Sequence, residues 1–101
     1  MSFHGYDEPV YIISVAAELL GVHPQTLRMY EREQLVIPRR TDTQNRMYSM
    51  RDLDDVREIR KLTREEGVNL AGVRIILRMR RQMEELNRKV HELGTSEKVD
   101  G

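Results

Sequence analysis

Three times along this chain the same local pattern recurs: an apolar residue, a polar residue able to cap a helix, and a second apolar residue four positions beyond the cap. Val22, His23 and Leu27 form the first, Tyr48, Ser49 and Leu53 the second, and Val68, Asn69 and Val73 the third. In each, the first apolar side chain can pack on the last across the opening helical turn. The polar residue between them accepts from N–H groups that the helix itself leaves unpaired. Such a pattern both starts a helix and fixes its entry angle, so three helix starts are written locally into the chain. Pro24 strengthens the first, standing where a missing N–H costs nothing. Asp52 strengthens the second, in the position of a capping-box acid. The spacing predicts helices over about 24–33 and 50–65, and a further one beginning near Leu70, just after Gly67.

A shorter helix is expected over about 15–20, with Ser14 as its N-cap and Val15, Ala16, Leu19 and Leu20 along one side. Gly21 would supply the tight turn that follows, since glycine tolerates the left-handed conformation that ends helices. Tyr11 to Ile13 read as an apolar lead-in. Between the second and third helices lies IPRRTDTQNRMYS, residues 37–49. Pro38 and the polar cluster Thr41 to Asn45 break helix there, and the flanking residues can pair as two very short strands. The third helix would turn Leu53, Val56, Ile59 and Leu62 inward as one stripe. From Ile76 the apolar residues fall at Met79, Met83, Leu86, Val90 and Leu93, in alternating steps of three and four, which is a heptad pattern. No glycine or proline interrupts residues 73–93, and the pattern leaves open one helix or two.

The expected organisation is therefore a flexible arm over 1–10, a compact body over 11–75, a coiled-coil helix over 76–93 and a disordered tail over 94–101. Two helices joined by a short turn and followed by a basic hairpin describe a mainly α, winged helix-turn-helix fold with a β-hairpin wing.

The chain has 101 residues, 39% of them apolar and 5% aromatic, so one domain with a modest aliphatic core is expected. With no cysteine there is no disulfide, zinc knuckle or thiol nucleophile. The opening MSFHGYDEPV has neither the basic start nor the apolar run of a signal peptide, and no segment approaches the roughly 18 apolar residues of a membrane span. The expected location is the cytoplasm. His4, His23 and His91 are scattered without a second ligand at helical spacing. Asp54, Asp55, Glu65 and Glu66 sit among arginines on a helix that should be solvated, and no glycine-rich loop could cradle a phosphate. These residues read as surface charge; no enzyme, metal site or cofactor is expected.

Net charge is zero, yet it is unevenly spread. Residues 24–48 hold five arginines against three acids, and residues 67–93 hold six cations against three acids. Phosphate attraction depends on local charge, so the neutral total does not exclude a nucleic acid. The segment GVHPQTLRMYERE, residues 21–33, has only Leu27 and Met29 as clearly apolar side chains in its helical part. It could be an ordinary surface helix. As a recognition helix its polar face gains a purpose: Gln25 and Thr26 can reach base edges, Arg28 can fork onto guanine or a phosphate, and Tyr30 can donate to a phosphate. Arg39, Arg40, Arg46 and Tyr48 could be a solvated hairpin or a wing that grips the backbone. The heptad stripe of Ile76, Met79, Met83, Leu86, Val90 and Leu93 could fold back into the body or form a dimer seam. The seam fits better, because the cations lie off the stripe and an isolated helix of this kind is marginal in water.

The run ISVAAELLGVHPQTLRMYERE, then a wing ending NRMYS, then RDLDDVREIRKL and EEGVNLAGVRIIL, resembles the MerR family of transcriptional regulators over about residues 11–80. Within it, HPQTLR and EEGVNLAGV are especially similar to HspR-type heat-shock repressors. The resemblance implies a homodimer that represses chaperone genes by occupying an inverted-repeat operator in double-stranded DNA, with the Hsp70 chaperone DnaK as co-repressor. Gln25, Thr26, Arg28 and Tyr30 fall in the family's recognition-helix positions, Arg46 and Tyr48 in its phosphate-gripping wing positions, and Arg64 in a position that is often basic. The chain departs from many relatives in having Met29-Tyr30 for an aromatic pair, Met47 for an aromatic, and no glycine in TDTQN. No sensor domain or metal-binding cysteines follow the heptad segment, so metal or small-drug sensing is not expected. Alternatives are a MerR-like regulator of another regulon, such as nitrogen metabolism, and a coiled-coil adaptor that binds protein.

Overall fold

The computed structural model describes residues 5–40 and 45–100, the last six as backbone only. Among the described residues seven elements follow in order: β1 (Tyr11–Ile12), α1 (Ile13–Leu20), α2 (Pro24–Arg32), β2 (Arg39–Arg40), β3 (Arg46–Tyr48), α3 (Met50–Arg64) and α4 (Leu70–Asp100). The fold is mainly α with a small sheet, as the sequence leads one to expect.

All three recurring start signals are used. His23 caps α2, its Nδ1 accepting from the Gln25 N–H at 3.1 Å. Ser49 and Asp52 form a reciprocal capping box on α3, at 3.1 and 2.9 Å. The Asn69 side chain accepts from the Gly72 N–H at 2.8 Å in the first turn of α4. The fourth expected cap fails. Ile12, not Ser14, stands at the N-cap of α1, and its side chain makes no cap hydrogen bond. The cause is a strand: Ile12 is extended and paired to β3, so the chain passes directly from sheet to helix. Gly21 closes α1 in the left-handed region at φ 67°. At the end of α2 that conformation falls on Gln34, at φ 60°. A side chain there costs roughly 1–2 kcal/mol.

The sheet has three strands in the order β1-β3-β2, all antiparallel, with Tyr11 opposite Tyr48 and Arg40 opposite Arg46. The hairpin was expected; the third strand was not, because the lead-in read only as apolar. The glycine-free wing tip, TDTQ in TDTQN, lies outside the described residues.

Beneath the sheet sits one core, built from Ala16 and Ala17 of α1, Leu27 and Tyr30 of α2, Leu35 and Val36 of the following loop, and Tyr48. The whole expected stripe of α3 joins it (Leu53, Val56, Ile59 and Leu62), as do Val73 and Leu77 of α4. Leu27 is 1% exposed, and cutting it to alanine would cost about 2–5 kcal/mol. On α1 the inner face differs from expectation: Val15 and Leu19 are exposed, and Ala16 and Ala17 are buried. The small alanines let α1 lie close to its neighbours.

Residues 5–10 are not a loose arm. The Tyr6 hydroxyl donates to Asp54 at 2.6 Å, the Arg51 N–H donates to the Tyr6 carbonyl at 3.0 Å, and the Val10 N–H donates to the Tyr48 carbonyl at 3.0 Å. Residues 1–4 of that segment lie outside the described residues. α4 is a single helix through Asp100, so no break falls at 75/76, and its backbone stays helical where a disordered tail was expected after residue 93. Among the described residues no helix is long and apolar enough to cross a membrane.

Candidate nucleic-acid interface

α2 is only nine residues long and buries one side, with Leu27 and Tyr30 three apart on it. Its other side carries Gln25, exposed, with Thr26 and Arg28 half-buried. Arg28 donates to the Gln25 side chain at 3.2 Å, so two of the expected base-reading groups hold each other one turn apart. Tyr30 does not join them. It is 5% exposed, because helical periodicity carries it into the core behind Leu27. The expectation that it faces outward is therefore corrected.

The wing lies beside this face. Arg40 and Arg46 are opposite each other across β2 and β3, which puts their side chains on one side of the hairpin. Both meet Glu31 of α2: Arg46 Nε donates to its two carboxylate oxygens at 2.6 and 3.1 Å, and Arg40 Nη2 to one of them at 3.3 Å. The carboxylate keeps the Arg46 guanidinium protonated beyond its ordinary range, chiefly through that hydrogen bond. Arg39 is on the opposite side of the strand, exposed, with Met47 facing it. Tyr48 is wholly buried, and its hydroxyl has no hydrogen-bond partner among the described residues. Burial, with the negative charge of Glu31 adding to it, pushes the phenol up to about 12. The wing position thus holds a core tyrosine rather than a surface donor, since a strand residue two beyond Arg46 and opposite Tyr11 faces the packed side.

Arg28 and Arg46 line one open cleft of about 310 Å³ together with Ile12, Ile13 and Asn45. Ile12 and Ile13 at the start of α1 form part of its wall, so a helix N-terminus stands beside two guanidinium groups, one of them paired with Glu31. A phosphate suits such a place. Arg64 is not part of this cluster. It is exposed at the far end of α3, some 21 Å of helix from the end of the wing. Among the described residues no group of His, Cys, Asp and Glu could hold a metal ion.

Of the expected seam, Met79, Met83, Leu86, Val90 and Leu93 are 55–66% exposed along α4. Ile76 instead packs against the core, and Ile75, which the heptad count passes over, is exposed. Sequence reasoning also passed over Glu31, counted only as one acid among arginines. The signal available was its place one turn beyond Leu27, on the helix that the arginine-rich hairpin must approach.

The profile of the MerR HTH family regulatory protein matches residues 11–80, from β1 through the first turns of α4. The chain belongs to the MerR family. It is 48% identical over 95 residues to a Streptomyces coelicolor protein named heat shock protein HspR, covering 94% of this chain and 62% of that one. It is 32% identical over 77 residues to the transcriptional regulator GlnR of Bacillus anthracis, covering 76% of this chain and 59% of GlnR. The chain therefore spans about three-fifths of the length of these relatives. Among solved structures the fold is shared with a MerR family regulator from Bacillus cereus, at TM-score 0.61 and 22% identity over 84% of this chain and 72% of that one. It is shared too with HiNmlR, a MerR family regulator lacking the sensor domain and solved bound to promoter DNA, at TM-score 0.60 and 21% identity, covering 88% and 82%.

Proposed function

We propose that this MerR family chain is a sequence-specific DNA-binding repressor of heat-shock (chaperone) genes, acting in the cytoplasm as a homodimer on an inverted-repeat operator. The observation that carries the DNA reading is the convergence of Arg28 of α2 and Arg46 of the wing on one cleft. Gln25, Thr26 and Arg28 would lead α2 into the major groove, where side chains at a helix N-terminus can reach base edges. Arg40 and Arg46 would hold the flanking phosphates, with Arg39 on the other side of the wing and Arg64 as a separate, more distant contact. Tyr30 and Tyr48 would act from beneath, as the packing that sets these cations in place.

The dimer reading rests on the exposed stripe of α4, which nothing covers among the described residues. Pairing two such stripes would place two recognition helices on one duplex, as a two-fold operator requires. The heat-shock assignment rests on similarity to HspR over 94% of this chain. The resemblance to HspR-type repressors adds DnaK as the proposed co-repressor, whose availability would tune occupancy. The similarity to GlnR keeps a second regulon as the alternative.

The test is binding to duplexes selected by the protein from a random library, compared with scrambled duplexes of the same composition, across salt concentrations. Preference for the selected sequence that persists at high salt supports the reading. Equal affinity for both removes it and favours an adaptor that binds protein.

A further inference from the structure

We infer that Glu31 is a positioning residue for DNA binding: it locks the wing to the recognition helix by holding Arg46 edge-on, so that the outer edge of that guanidinium is presented to phosphate. The inference rests on the DNA reading above and adds to it a residue that touches no DNA.

The geometry sets the direction of the effect. Glu31 belongs to α2, and Arg46 to β3, fifteen residues away. Arg46 uses its Nε for both carboxylate oxygens, at 2.6 and 3.1 Å. That contact fixes the plane of the guanidinium while leaving the outer Nη edge out of the contact with Glu31, and a planar fork with fixed orientation suits phosphate. Side-chain exposures agree: Glu31 is 19% exposed, whereas Arg46 is 31% and Arg40 43%, so the carboxylate lies inside and the cations outside. Among the described residues one carboxylate meets both guanidinium groups, and it lies on the helix side of them. Beneath it lies the buried Tyr48 phenol, two residues along the same strand.

A carboxylate this close to two phosphate-binding cations could act in either of two opposed ways. As a mere counter-ion it would compete with phosphate, and its removal would tighten binding to any duplex. As a positioner it would cut the entropy that Arg46 and the wing lose on docking, and its removal would weaken binding. The edge-on contact favours the second, because Arg46 need not release Glu31 in order to reach outward.

Glu31→Gln keeps the shape and removes the charge. Binding of wild type, Glu31→Gln, Arg46→Ala and the double variant is measured on a selected duplex and on its scrambled counterpart, over a range of salt. Thermal unfolding and the NMR signal of the Arg46 Nε–H are recorded for the free proteins. Positioning predicts that Glu31→Gln weakens the selected duplex roughly fivefold, a coupling of ordinary size for contacting residues. It also predicts that the salt slope flattens by about one phosphate contact, that the change is much smaller in the Arg46→Ala background, and that the protected Nε–H signal is lost although the fold survives. Tighter binding to both duplexes with a steeper salt slope would overturn the inference, as would an equal effect with and without Arg46. Wild type that fails to discriminate the two duplexes is a different result: it overturns the DNA reading itself, and the inference with it.

Discussion

Arg51 of α3 donates to Glu84 of α4 at 2.8 Å, across thirty-three residues of sequence. The same guanidinium pairs with Asp7 and lies 5.3 Å from the centre of the Tyr6 ring, so one side chain ties arm, α3 and α4 together. Arg80 with Glu58 and Arg81 with Asp55 continue the brace along the two helices, at 2.6 and 3.2 Å. These pairs are partly exposed, and each alone should contribute less than about 1 kcal/mol. Glu84→Gln should therefore lower stability in urea by less than that, with the difference vanishing in high salt. Arg51→Ala should cost more than Glu84→Gln, because it frees the arm as well. Equal losses would mean that the arm contributes nothing.

The cap on α2 gives a second expectation. His23 accepts from the Gln25 N–H through its ring, so its removal leaves a helix end open. His23→Ala should cost about 1 kcal/mol, and His23→Ser should retain or improve stability. A melt in which serine is as harmful as alanine would show that the ring matters for packing and not for capping.

A third expectation concerns Tyr48. Its phenol is pushed from 10 to about 12 by burial, and the hydrogen bond of Tyr6 to Asp54, together with burial, does the same for Tyr6. A raised phenol is protonated longer in the folded state than in the unfolded one. The stability it carries is complete below pH 10 and is lost as pH climbs towards 12. Tyr48→Phe removes a buried hydroxyl that has no partner among the described residues, so the variant should be as stable as wild type or up to about 1 kcal/mol more stable at neutral pH. Its unfolding should also depend less steeply on pH between 10 and 12. A destabilised Tyr48→Phe protein would mean that the hydroxyl is bonded.

The proposed dimer supplies a fourth. Leu86 lies mid-stripe and is 60% exposed, so lysine there disturbs no packing within one chain. Sedimentation should find Leu86→Lys monomeric with an unchanged melting profile at low concentration, and a persistent dimer would place the seam elsewhere.

What the sequence made legible was local. Caps and staples act over four or five residues, so the Ser49–Asp52 box and Asn69 could be read directly, and the helix starts with them; the start at Pro24 was legible too, but whether the His23 ring caps, packs or meets a phosphate was not. What it hid was distant. β1 exists because Tyr11 meets Tyr48, and nothing near Tyr11 announces that partner. Because the strand delivers Ile12 straight into α1, the apparent cap at Ser14 goes unused. The candidate site divides in the same way. Gln25, Thr26 and Arg28 follow from the helix start and Leu27. The inward turn of Tyr30, the burial of Tyr48 and the grip of Glu31 on the wing depend on which elements pack together. Pattern alone also could not show that α4 continues unbroken past the body, since Ile76 serves the core while Met79 onward is exposed.

The most direct measurement compares selected and scrambled duplexes for wild type, Arg28→Ala and Arg46→Ala. If α2 reads bases while the wing holds the backbone, Arg28→Ala loses about 1–3 kcal/mol on the selected duplex and relaxes the preference, whereas Arg46→Ala weakens both duplexes alike and flattens the salt slope. Wild type that binds the two duplexes equally would contradict the account.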